Sequence, residues 1–108
     1  MTTPYQIILC TCPDKDTAEK IAHLLVNDKL AACVNILPGI ISIYRWHEKI
    51  ESAQEHLLLI KAHKAGYQAI EKSIKMHHPY ELPEIIAVPV ENGLPEYLHW
   101  IDSCHSYT

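Results

Sequence analysis

Cysteine and histidine are the residues of this 108-residue sequence whose types and places could do chemistry: it holds four of the first and eight of the second. Cys10 and Cys12 close an apolar run, Tyr5 to Cys12, and His77 and His78 stand together before Pro79. Imidazole suits copper or zinc, and thiolate favours the softer ions. Adjacent histidines on a regular helix point about 100° apart. Pro79 disfavours helical geometry at His78, so the two rings can converge. Cys10 and Cys12, two apart on a strand, share a face. The cysteine spacings match no structural zinc pattern and no C-x-x-C motif. Core packing is an equal reading for Cys10 and the stronger one for Cys12 and Cys33, and His77 could instead place its charge at the negative end of a helix. His23, His47, His56, His63, His99 and His105 are scattered and are expected to be solvated or locally paired.

Other chemistries find less support. Gly39, Gly66 and Gly93 are the only glycines, so there is no glycine-rich phosphate loop. No G-x-S-x-G elbow and no H-E-x-x-H is present. Glu81, Glu84 and Glu91 lie near the histidines in sequence but define no acid–base pair, and no enzymatic activity is expected. Thirteen acidic residues against nine basic give a formal charge of −4, with Arg45 the only arginine. That balance argues against nucleic acid, whose phosphates must be met by Lys and Arg, and against an anionic membrane surface. The apolar runs are too short to span a bilayer. MTTPYQIILC lacks the charged start and long apolar stretch of a secretory signal. The chain is therefore expected in the cytosol, with its cysteines as free thiols.

The elements that must position these groups follow from periodicity. Tyr5 to Cys12 reads as a central strand, covered on both faces and ended by Pro13. In DKDTAEKIAHLLVNDK, Ala18, Ile21, Ala22 and Leu25 form one apolar face of an amphipathic helix with an acidic first turn. Ala31 to Trp46 and Ile50 to Ala62 are strands joined by the short turn HEK, a long antiparallel hairpin. Pro38-Gly39 falls inside the first of them and marks an edge-strand bulge or kink. A second helix runs from about Gly66 to His77, followed by a fourth strand in EIIAVPV and a short helix opened by Pro95. This is the α+β, ferredoxin-like βαββαβ plan with one extra C-terminal helix, a single domain spanning 1–108. Its topology puts the end of the first strand and the end of the second helix at the same end of the domain. Hairpin strands of roughly 12 to 15 residues overhang the rest of the sheet. Such an exposed apolar edge predicts closed association with copies of the same chain.

The residues also carry a family likeness. LCTCPD, KLAACVNILPG, SIYRW, LLLIK, KMHHPYELPEI and YLHWI run from about Ile8 to Ile101, and with them the sequence resembles the CutA family of divalent-cation tolerance proteins. The resemblance implies a tight homotrimer in which long hairpins knit the subunit sheets together. It also implies copper binding (Cu2+, with zinc or other divalent cations as alternatives), the family's ligands falling on Cys10, His77 and His78. Cys33 matches a cysteine of some members. Two positions depart from the pattern: Glu48 stands where glycine is frequent, and Cys12 where a small residue is more usual. The function implied is metal binding that contributes to cation tolerance. The alternative is a trimeric regulatory or scaffold module, like the PII signalling proteins in architecture, that binds a small metabolite or a partner protein.

Overall fold

The structure, a computed structural model, describes residues 3–105. In chain order the elements are β1 (Tyr5–Cys12), α1 (Lys15–Asn27), β2 (Cys33–Trp46), β3 (Lys49–His63), a single 3₁₀ turn (Lys64–Gly66), α2 (Tyr67–His77), β4 (Ile86–Pro89) and α3 (Pro95–Ser103). The strands form one antiparallel sheet in the order β2-β3-β1-β4. This is the expected α+β arrangement, with both long helices on one face.

Alternation along the strands selects that face. Ile8, Cys10 and Cys12 of β1 and Leu58, Ile60 and Ala62 of β3 point to it and are buried, because successive strand side chains alternate. Ala18, Ile21 and Leu25 of α1 and Ile70 and Ile74 of α2 close over them as one core cluster. α1 starts where Asp14, in extended geometry, accepts a hydrogen bond from the Thr17 backbone N–H at 2.8 Å. That side chain satisfies one of the donors orphaned by the first helical turn.

The hairpin has the expected overhang: 14 residues in β2 and 15 in β3, against 8 in β1 and 4 in β4. The register shifts between Leu37 and Ile40, and Gly39 takes a φ of +71°, so Pro38-Gly39 is a bulge on an edge strand. The turn is tighter than the sequence suggests. Trp46 pairs with Lys49, leaving only His47 and Glu48 between the strands, both at positive φ (49° and 65°). A two-residue turn of this hand matches the twist of its strands, and the side chains at these positions cost about 1–2 kcal/mol each. β4 is shorter than EIIAVPV implies. Pro83 precedes it and Pro89 ends it, and neither has an N–H to give a ladder.

The C-terminal helix partly covers the other sheet face. There the Tyr5 hydroxyl donates to Asp102 Oδ2 at 2.6 Å, and the His63 and His105 rings stack at 5.6 Å. A Cβ at Gly66 would come within 2.8 Å of the His105 ring, so a side chain there would push the ring aside. Burial, and then the charge of His63, hold the His105 imidazole below its ordinary value, while Asp102 and the Leu30 carbonyl act in the opposite sense. A ring whose neutral form is favoured on folding stabilises the fold above its ordinary value of about 6.5, and the contribution is lost as pH falls through the lower, folded value. Amide exchange in α3, corrected for intrinsic rate, should therefore lose protection between about pH 7 and pH 5. His105→Asn should flatten that dependence. Protection that ignores pH in both chains would contradict this role.

Candidate metal centre

β1 and α2 finish at the same end of the domain, as the topology requires. Cys10 and Cys12 are wholly buried there on the helix-facing side of β1. α2 keeps helical geometry through His77. His78 then turns extended (φ −89°, ψ 135°) while its N–H still reaches the Ile74 carbonyl at 2.8 Å. Pro79 is the cause, since it excludes helical geometry from the residue before it. The turn carries the His78 ring inward over β1. One ligand atom from each of Cys10, Cys12 and His78 lies within 4.8 Å of the other two, and among the described residues this is the one such group of three.

His78 is held at both ring nitrogens. Nδ1 accepts from the Tyr80 N–H at 3.1 Å, so Nε2 carries the proton and donates to the Thr11 carbonyl at 2.8 Å. The ring thus ties the end of α2 to the end of β1, and a metal ion would exchange one of these bonds for a coordinate bond. Tyr80 extends the network: its hydroxyl donates to Glu55 Oε2 at 2.7 Å. Burial, then the bond to Glu55, raises the Tyr80 phenol well above its usual range, so it stays a donor. Glu55 is only 5% exposed.

The two thiols differ. Cys10 is pushed far up by its hydrogen bond to Cys12, by burial and by the negative charge of Cys12, Glu84 and Glu55. Cys12 is lowered, because that same hydrogen bond stabilises its thiolate. Of the two buried sulfurs, Cys12 is the one that ionises more readily. Thiolate is the metal-binding form of cysteine.

Of the residues singled out in the sequence, the structure brings Cys10 and His78 together and adds Cys12. His77 stays on the helix. Its Nδ1 lies 2.8 Å from the Ser73 carbonyl one turn back, and its ring is outside the group of three. Cys33 sits at the start of β2, opposite Lys61 and away from the thiol pair. His56, grouped in the sequence with solvated histidines, pairs across the ladder with Cys12 and has a buried Nδ1 with no hydrogen-bond partner among the described residues. Strand alternation places Cys12 beside Cys10, but only the inward turn of His78 makes it a neighbour of that ring. Beside this group a cleft of about 910 Å³ opens between the hairpin arm and the segment 79–86, lined by Tyr44, Trp46, Glu55, Tyr80, Glu84 and Ile86.

Residues 6–104 match the family profile of the CutA1 divalent ion tolerance protein. The chain belongs to the CutA1 family. Mouse protein CutA is 47% identical over 91 residues, which are 84% of this chain but 51% of the mouse protein, so the chain spans about half the length of that relative. The crystal structure of CutA from Xylella fastidiosa is 48% identical, covers 96% of this chain and 100% of its own, and superposes with a TM-score of 0.94. The periplasmic divalent cation tolerance protein CutA of Archaeoglobus fulgidus is 41% identical, with a TM-score of 0.90 over 93% of this chain and 97% of its own. Membership agrees with the architecture. No helix among the described residues is long and apolar enough to cross a membrane.

Proposed function

We propose that this CutA1 chain is a copper-binding protein of divalent-cation tolerance, which holds one ion per chain between the end of β1 and the end of α2. The observation that carries this reading is the meeting of buried Cys10 and His78, from elements far apart in sequence, in a chain of a divalent ion tolerance family. The donor set fits the ion, since imidazole and thiolate together suit copper and zinc. His77 joins them only by leaving the Ser73 carbonyl, where its ring is now bound. The chain is read as acting by binding rather than by catalysis, with the three donors closed in by the fold.

The working form is a homotrimer. Ile41, Ile43 and Ile50 share one face of the hairpin arm and are 70%, 73% and 72% exposed. β2 is an edge strand, and among the described residues no other strand lies beyond it in the sheet. Apolar arms on an open edge call for partner strands, and closed symmetry supplies them without fibres. The cleft beside the arm is the natural seat for part of a second copy. The cytosol is the proposed compartment, because adjacent reduced thiols persist in reducing surroundings.

Ligands must lose protons to bind, so metal affinity should fall as pH falls. Calorimetric titration with zinc or copper at about pH 7.5 and about pH 5.5 should show weaker binding in acid. Repeating it in buffers of different ionisation enthalpy should show protons released on loading. An affinity unchanged over that range would place the ion elsewhere, on oxygen ligands already ionised.

A further inference from the structure

The cluster at the end of β1 contains a donor that the family likeness does not place among the ligands. Cys12 is wholly buried, and its sulfur lies with Cys10 and His78 inside 4.8 Å. We propose that Cys12 completes a three-donor site, two sulfurs and one imidazole nitrogen, whose preferred occupant is monovalent copper. The inference rests on the metal-binding reading above and names the ion and the third ligand.

Donor type and donor number both favour that ion. Two thiolate-forming sulfurs make the site soft, and soft sulfur donors select monovalent copper among the physiological metals they bind. Zinc, the main competitor for such donors, takes four ligands in a closed structural site. The described residues bring only three together. Cys10 and Cys12 are fully enclosed and His78 is 8% exposed, so solvent has little room to supply a fourth. Magnesium and calcium need oxygen ligands that the cluster does not offer. Monovalent copper is satisfied by three donors in a plane. Bonds of roughly 2.0–2.3 Å put the donor atoms about 3.5–4 Å apart, inside the spacing seen here.

The arrangement also accounts for the second hydrogen bond of His78. A metal-binding imidazole is usually oriented by a partner on its other nitrogen. Here Nδ1 can take the ion in place of the Tyr80 N–H while Nε2–H keeps donating to the Thr11 carbonyl, so the ring stays anchored at its other nitrogen. Thr11 lies between the two cysteines in sequence, so the sulfurs and the ring are positioned by one short stretch of β1. On loading, the ion replaces one ring hydrogen bond and the thiol protons leave to solvent. Copper enters as the monovalent ion, and no electron is transferred.

The test is copper(I) competition against a chromophoric copper(I) chelator under anaerobic, reducing conditions. It compares the unaltered chain with Cys12→Ala, Cys12→Ser and Cys10→Ala, each checked for fold by far-ultraviolet circular dichroism. Divalent zinc is titrated in parallel, and X-ray absorption counts the sulfur ligands. Both Cys12 variants should bind copper(I) about 100-fold more weakly while zinc affinity changes by less than about tenfold. The sulfur count should fall from two to one. Cys12 variants that hold copper(I) as tightly as the unaltered chain, or a single sulfur in the unaltered chain, would overturn the inference while leaving the Cys10 and His78 reading in place. Loss of neither ion's binding in Cys10→Ala would overturn both.

Discussion

A chain carrying Ile41→Asp, Ile43→Asp and Ile50→Asp together should behave as a monomer in light scattering at micromolar concentration, where the unaltered chain should behave as a trimer. The expectation comes from the hairpin arm. All three isoleucines are at least 70% exposed in the single chain and lie on one face of two paired strands. Burying one such side chain stabilises by about 1.5–3 kcal/mol, so three per chain supply a large share of an interface. Carboxylates in their place forfeit that gain and add the cost of desolvating charges without partners. The rest of the domain should keep its fold, because these residues contribute nothing to the core between the sheet and its helices. A companion set, Ile→Thr at the same positions, keeps β-branched side chains that suit strands and separates loss of assembly from loss of the hairpin. A triple Asp variant that remains trimeric would move the interface away from the arm.

The second large effect should be that of His78→Ala, with about a 100-fold loss of metal affinity, equivalent to about 2.7 kcal/mol. It should also lower stability without metal. The Thr11 carbonyl and the Tyr80 N–H both lose their partner on the buried ring, and a buried polar group left unsatisfied costs about 1–3 kcal/mol. His77→Ala should do far less to either quantity, since its Nδ1 is bound to the Ser73 carbonyl of its own helix and its ring lies outside the group of three. Urea unfolding of the metal-free proteins at fixed protein concentration, followed by metal titration, measures both effects. Equal losses from the two variants would mean that the helix end rearranges on loading and that His77 joins the site.

Much of this architecture is written in local pattern. Period-two and helical apolar spacing give β1, α1 and α2, and the excess length of β2 and β3 gives the overhanging arm. Pro38-Gly39 marks the bulge because proline and a positive-φ glycine suit few other places on a strand. Topology alone predicts that Cys10 and His78 share one end of the domain. What the pattern could not give is the direction of side chains at a helix terminus. His77 and His78 look equivalent in sequence, yet one keeps helical geometry and folds back on Ser73 while the other is turned inward by Pro79. Cys12 reads as core packing for the same reason, since its neighbour in space depends on that turn. The hairpin tip was obscured by residue type: His47 and Glu48 both take the left-handed conformation that glycine would occupy with less strain.

The most direct test of the account is calorimetric titration of the metal-free, reduced protein with copper, beside Cys10→Ala. The account expects tight binding near one ion per chain, lost in Cys10→Ala while light scattering shows the same trimer. Binding that is absent from the unaltered chain, or equally strong in Cys10→Ala, would contradict it and leave the cysteines and His78 as parts of the core alone.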